Sequence, residues 1–189
     1  MKKIIGLFLL ISFFSYGQTP DPNIEKLITA LSKEKNSYIK QVITQTVIVN
    51  SSTKANFGGG NTRSAIKINL PLGTKTWFYR ITLMDVNQSF TYADSDSFYS
   101  VLKDKKPFIV NNLTQNAIDF YIIDNNSVQN FLTNGNNNFA FYEQYSKIKT
   151  IGFIDDCNLL SNNLWIGIKN PNLKDGIKAL VEVVAMGNY

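Results

Sequence analysis

Between Arg63 and Met84 the chain reads RSAIKINLPLGTKTWFYRITLM, and this stretch constrains the fold more than any other. Ile66, Ile68 and Leu70 alternate with Lys67 and Asn69, the period of a strand with one buried face. Pro71 and Gly73 interrupt the alternation, as residues at a turn do. After them Trp77, Tyr79, Ile81 and Leu83 fall on one face, and Phe78, Arg80, Thr82 and Met84 on the other. The chain has two Trp and two Arg, and one of each sits on this second strand, which points to a sheet centre and not to a catalytic motif. The expectation is a central hairpin. Its Trp77, Tyr79, Ile81 face would lie inside, against Leu164, Ile166 and Ile168.

Further strand patterns surround it. Gln41–Asn50 is rich in Val, Ile and Thr. Shorter strands are expected at Gln88–Tyr92, Phe108–Val110, Ile118–Ile123 and Thr150–Ile154. Leu164–Lys169 alternates, turn signals follow at Asn170-Pro171-Asn172 and Asp175-Gly176, and Ala179–Met186 is apolar except for Glu182. This reads as a second hairpin whose last strand is covered on both faces. A Glu there needs a partner or an exposed end, and an edge position on the outer face is the simplest expectation. Phe139–Tyr145 is aromatic at almost every second residue, with Phe139, Phe141 and Tyr145 expected on one side and Tyr142 on the other.

Helical spacing is confined to short stretches. In Pro22–Lys35, Ile24, Leu27, Ile28 and Leu31 share a face. Asp21 suits the cap, Pro22 the first turn, and Lys33 and Lys35 the C-terminal end. This helix is expected to cover an edge or face of the sheet. Phe98, Val101 and Leu102, preceded by Asp94-Ser95-Asp96-Ser97, predict a second helix capped by Asp96. Val128, Phe131 and Leu132 predict one helical turn within Ser127–Leu132. Ser51–Asn61, SSTKANFGGGN, reads as a flexible hairpin loop; its glycines lack the Gly-Lys-Ser/Thr of a phosphate-cradling loop. Thr133–Asn138, TNGNNN, reads as an exposed loop.

Composition sets the compartment and removes several chemistries. Lys2-Lys3, the apolar run Ile4–Phe14 and small residues at Ser15 and Gly17 are the parts of a secretory signal peptide cleaved near Gly17. The alternative, an uncleaved anchor, asks for a longer apolar run. No Cys follows the run to carry a lipoprotein anchor, no later stretch is apolar enough to cross a membrane, and no C-terminal sorting domain is expected. Residues 1–17 are therefore read as the signal peptide. Residues 18–62 supply a helix, the first strand and the Gly-rich loop, and form one domain with the body at 63–189. Formal charge falls from +5 to +3 with the signal, and the Lys residues are scattered rather than clustered as a nucleic-acid binder requires. The single Cys157 forbids an intramolecular disulfide; it reads as a small buried hydrophobe, with a reactive thiol or dimer link as the alternatives. With no His, the Ser-His-Asp and Cys-His mechanisms in their usual forms are set aside, as is His-ligated zinc, copper or haem.

Taken together, the strands, turns and short helical inserts predict a mainly β chain. Its architecture is an antiparallel β-sandwich, jelly-roll-like, with an N-terminal helix and one or two short helical inserts. The alternative is an open α+β sheet with helices on one face. Leu70-Pro71, Thr74, Trp77-Phe78-Tyr79-Arg80, Phe120–Asp124, Leu164–Pro171 and Val181–Ala185 together resemble a group of uncharacterised secreted proteins of Bacteroidetes bacteria. The resemblance covers roughly Arg63–Met186, and its last third resembles the GOLD-type β-sandwich, a non-catalytic interaction module. It implies a fold and an exported location; it assigns no site residue.

No catalytic, cofactor-binding or metal-ligating residue is assigned from sequence, and no cofactor is expected. The leading functional expectation is an exported, non-enzymatic binding or interaction module of the cell envelope, with a protein or glycan partner. Carbohydrate binding is the alternative, through aromatic platforms at Tyr142, Tyr145 and Trp165 beside the Asn-rich loop. A carboxylate-dependent hydrolase is the further alternative, since a glycosidase needs only two carboxylates about 5–10 Å apart. Its candidates are Asp94, Asp96, Asp155, Asp156 and Glu182. Asp94 and Asp96 could also ligate Ca²⁺, and Asp155-Asp156 a metal, although neither matches a twelve-residue calcium loop.

Overall fold

A computed structural model describes residues 22–87, 96–106, 118–133, 138–146, 151–160 and 163–189; among these, the side chains of residues 22–24 and of Cys157 are outside the description. In chain order the elements are α1 (Pro22–Ser32), β1 (Ser37–Val49), α2 (Ser52–Phe57), β2 (Arg63–Ile68), β3 (Thr74–Asp85), α3 (Phe98–Lys103), β4 (Asp119–Asp124), α4 (Val128–Thr133), β5 (Ile151–Ile154), β6 (Leu164–Lys169) and β7 (Ile177–Asn188). Single 3₁₀ turns occupy Glu143–Tyr145 and Cys157–Leu159. The expected signal peptide with Asp21, the strands at Gln88–Tyr92 and Phe108–Val110, Asp94, and residues 134–137 of the Asn-rich loop lie outside the described residues, as does the reading of Cys157 as a buried hydrophobe.

The strands form two antiparallel sheets, ordered β1-β7-β3-β5 and β2-β6-β4. Each strand lies in the opposite sheet from the strand before it. Among the described residues, this is the strand order of an eight-stranded jelly roll less one strand of the smaller sheet. The segment Phe139–Ser146 borders β4 where that strand would lie. The Tyr142 amide donates to the Ile122 carbonyl (2.9 Å), and the Ile122 amide donates to the Ser146 hydroxyl (3.1 Å). The sandwich is therefore as the sequence predicts, and the open α+β sheet is not what forms.

Neither expected hairpin exists. β2 pairs with β6, Arg63 opposite Lys169 through Ile68 opposite Leu164, whereas β3 pairs with β7 and β5. The link from Asn69 to Gly73 carries the chain from one sheet to the other. Gly73 adopts φ 78°, and a Cβ there would meet the Asn188 carbonyl oxygen at 2.0 Å, so the crossing requires glycine. β6 and β7 face each other across the core in the same way. The facing itself is as expected: Trp77, Tyr79 and Ile81 share one buried cluster with Leu164, Ile166 and Ile168. Tyr79 stacks on Phe120, ring centroids 4.8 Å apart.

Both outer faces are covered as well. α1 and α3 bring Ile28, Leu31, Phe98 and Leu102 onto Phe78, Val184 and Met186 of the larger sheet. Phe131 of α4 and Phe139 cover Tyr121 and Ile123 of the smaller sheet. This double cover explains the nearly unbroken apolar run Ala179–Met186. α1 ends at Ser32, not Lys35, so Lys33 and Lys35 lie beyond it; Asn36 follows at φ 60°. Phe139 and Phe141 share the outer aromatic cluster as expected, but Tyr145 packs with Tyr142 against the central core, because a 3₁₀ turn breaks the alternation.

Glu182 is fully buried on β7, between β1 and β3, which corrects the expected edge position. It does lie on the outer face. It sits opposite Arg80 in the β3–β7 register. Arg80 Nε and Nη2 each lie 2.7 Å from Glu182 Oε2, and Glu182 Oε1 accepts the Phe98 amide at 2.8 Å. The buried carboxylate thus ties the start of α3 to the sheet. The cap of α3 is Ser97, whose hydroxyl accepts the Ser100 amide, and not Asp96. The Asp96 carbonyl instead accepts Arg80 Nη2 (2.9 Å), and its carboxylate pairs with Lys106 (2.9 Å).

Candidate functional site

The segment expected to be a loop, Ser51–Asn61, contains α2 and builds one wall of a cleft. Ser51 caps the helix, its hydroxyl accepting the Lys54 amide at 3.2 Å. α2 buries no side chain of its own, which is why no apolar period announced it. Its first turn is held from outside. The Ser52 and Thr53 amides each donate to a carbonyl of the β6–β7 connection, at Asn172 and Leu173, both 3.1 Å away. The glycines after α2 return the chain tightly toward β2. Gly60 adopts φ 97°, and a Cβ there would meet Asn50 Nδ2 at 2.0 Å.

Asn170 organises the floor. It is 1% exposed, and every polar group of its side chain serves the frame. Its Nδ2 donates to the Val49 and Asp175 carbonyls (3.1 and 2.8 Å), and its Oδ1 accepts the Asn172 amide at 2.9 Å. Its backbone amide donates to Thr62, and the Asn50 amide donates to Asn61. Through its side chain and its backbone amide, Asn170 therefore binds together the end of β1, the entry to β2 and the β6–β7 connection. Arg63 supplies the adjoining wall. Its Nη1 donates to the Phe131 carbonyl in the last turn of α4 (2.7 Å), and its guanidinium lies over the rings of Phe131 and Phe139, 5.4 and 5.9 Å from their centroids.

The cleft between these parts measures about 570 Å³, within the range of small-molecule sites. Ser52, Asn56, Asn61, Thr62, Arg63 and Lys169 give it its polar character, and Leu132 and Pro171 give it apolar edges. Among the described residues, no hydrogen bond engages the side chains of Asn56, Asn61 or Thr62, in contrast to Asn170 and Thr133. Donors and acceptors thus converge on open space from a braced frame. No described residue lining the cleft carries a carboxylate. Lys169 Nζ lies 3.7 Å from Asp119 Oδ2, outside the cleft lining.

The residues singled out from sequence lie elsewhere. Tyr142 and Tyr145 pack together against the central core. Burial, then the negative charges of Asp156 and Asp155, raises the Tyr145 hydroxyl pKa. Trp165 lies on the outer face of the smaller sheet, where its indole N–H donates to Asn125 Oδ1 (3.1 Å) and its side chain packs against the cluster of Tyr121, Ile123, Phe131 and Phe139. The three aromatics therefore form no common platform, and none lines the cleft. Thr133 of the Asn-rich loop does line it.

The candidate acids are also dispersed. Asp96 pairs with Lys106 at the start of α3, Glu182 is bound by Arg80 inside the outer layer, and Asp156 accepts the Asn158 amide in the turn after β5, beside exposed Asp155. Among the described residues, no three His, Cys, Asp or Glu side chains gather where a metal ion could be held, and no helix is long and apolar enough to cross a membrane. Sequence reasoning missed the cleft because Asn170 reads only as a turn residue; the one available signal was Ser51, three residues before Lys54, in cap position. No protein-family model matches the chain, and neither a curated protein nor a solved structure matches it significantly.

Proposed function

We propose that this chain is an exported, non-enzymatic binding module of the cell envelope and that it holds a saccharide in the cleft between α2 and the ends of β2 and β6. The observation that carries this reading is the set of unengaged side chains at Asn56, Asn61 and Thr62 on a frame fixed by Asn170. Amides and hydroxyls that both donate and accept match sugar hydroxyls. A site already braced loses little freedom on binding, which favours affinity. The described lining residues carry no carboxylate, which supports binding over glycoside hydrolysis, a reaction that in most families needs two acids flanking the bond. The N-terminal basic and apolar segments support export, and the likeness of the last third to GOLD-type modules supports an interaction role.

The test is a glycan array probed with the protein and with an Asn56→Ala/Asn61→Ala variant. Both positions are exposed, so the variant should fold as the parent does. The reading expects a defined set of saccharides retained by the parent and lost by the variant. Retention of none by the parent, or equal retention by both, would refute it.

A further inference from the structure

We infer that β1 is a dimer edge: two copies of this chain pair antiparallel through Gln41–Val49, about a two-fold axis at Gln45, and join their larger sheets into one. β1 is the outermost strand of the larger sheet. β7 lies along one side of it, and no strand among the described residues lies along the other. A free edge offers backbone amides and carbonyls to any extended chain, so folded proteins blunt such edges with shortness, proline, charge or bulges. β1 uses little of this. It is 13 residues long, whereas β5 at the opposite edge has 4. Gln41–Val49, QVITQTVIV, holds neither proline nor charge. The bulge in its ladder lies between Gln41 and Ile43, and from Ile43 opposite Val183 to Val49 opposite Ile177 the pairing is regular. Thr44, Gln45 and Thr46 are exposed. Ile48, at 52% exposure, is the one strand residue among the exposed large apolar side chains described.

The sequence of the edge says what covers it. Ile43, Val47 and Val49 point into the central core, so Thr44, Thr46 and Ile48 stand on the outer face. Directly opposed residues of an antiparallel pair share a face, so two copies can join only in registers that set inner residues against inner ones. With Gln45 opposite the second Gln45, Ile43 meets Val47 on the inner face and Thr44 meets Thr46 on the outer one. Pairs of β-branched residues and of threonines are favourable across strands. Each Lys40 then faces Asn50 of the other copy, and the two Lys40 backbones stay roughly 30 Å apart. An axis at Thr44 would set Ile43 against Gln45, and an axis at Thr46 would set Gln45 against Val47. The register centred on Gln45 alone matches like with like. It uses the same edge on both copies, so it closes after two.

The test is sedimentation velocity of the protein over rising concentration. The joint is small, so the dimer should be weak, absent near about 1 µM and populated near about 500 µM. Gln45→Lys and Gln45→Glu each set like charges face to face at the axis, with Cβ atoms about 5 Å apart, and each should stay monomeric. An equimolar mixture of the two sets opposite charges there and should form dimers again, more so at low salt. At the flanking pair, Thr44→Lys/Thr46→Lys should be monomeric and Thr44→Lys/Thr46→Glu dimeric, which separates a broken joint from a damaged fold. Asp155→Lys, an exposed change beyond β5 at the far edge, should leave the dimer intact. A parent that is monomeric throughout overturns the inference and leaves the edge to an extended segment of another protein. A dimer that survives Gln45→Lys, or a Lys and Glu mixture that stays monomeric, overturns it as well. None of these outcomes touches the saccharide reading of the cleft.

Discussion

Replacing Arg80 by Met isolates the buried ion pair that holds the start of α3 to the larger sheet. Glu182 is fully buried, Arg80 is 13% exposed, and two guanidinium nitrogens lie 2.7 Å from one carboxylate oxygen. Removing the arginine leaves a carboxylate inside the layer between β7 and α3 with, among the described residues, the Phe98 amide as its remaining hydrogen-bond partner. Breaking a buried pair in this way costs about 3–5 kcal/mol, a large share of the roughly 5–15 kcal/mol that holds a domain together. For a chain of this length each kcal/mol lowers Tm by about 2–4 °C, so Arg80→Met should melt about 6–20 °C below the parent. The Arg80→Met/Glu182→Leu double variant should recover much of this loss, since both charges leave together. A deficit of about 1–3 kcal/mol should remain from the Phe98 amide, which then lacks its acceptor. Urea unfolding of the parent, both single variants and the double variant measures the cycle. A single variant within about 0.5 kcal/mol of the parent, or losses that simply add, would refute the claim that this pair pins α3 to the sheet.

Trp77→Ala should cost about 3–5 kcal/mol, because the ring is fully buried between the sheets; a Tm unchanged in thermal unfolding would contradict its core placement. Gly167→Ala should destabilise by about 1–3 kcal/mol through overpacking, since the new Cβ would lie 2.5 Å from Ile123 Cδ1 and 3.0 Å from the Phe131 ring, and urea unfolding would show it. Burial raises the hydroxyl pKa of Tyr79, and burial with the nearby Asp119 charge pushes that of Tyr121 up to about 12. The folded state therefore holds these protons when the unfolded chain, with tyrosines near 10, begins to release them. Stability should be intact below pH 10 and fall above it, by up to about 1.4 kcal/mol per unit for each tyrosine. Tyr79→Phe should flatten that slope in urea unfolding between about pH 9 and 11.

The strand faces were legible because a period of two needs no knowledge of the partner strand. Trp77, Tyr79 and Ile81 point inward by alternation alone, and so do Ile166 and Ile168. Sheet membership was not legible, because alternation is the same whether neighbouring strands pair or face each other. Only the registers Arg63 with Lys169 and Arg80 with Glu182 separate the two arrangements. The partner of Glu182 was present as a signal: Arg80 lies on the outer face of a strand equally in need of cover. Joining them requires a pairing 102 residues apart in the chain. The cleft was the least legible part. α2 carries no buried face, and Asn170 acts through carbonyls at Val49 and Asp175 that no local pattern connects.

The central claim is that the cleft framed by Asn170 is the ligand site. Amide chemical-shift mapping during titration with a saccharide that the protein retains on the glycan array tests it directly. The account predicts shifts concentrated at Ser52–Asn56, Gly60–Arg63 and Lys169–Pro171, saturating together. Shifts gathered instead around Trp165 or around Tyr142 and Tyr145, or none anywhere in the chain, would contradict it.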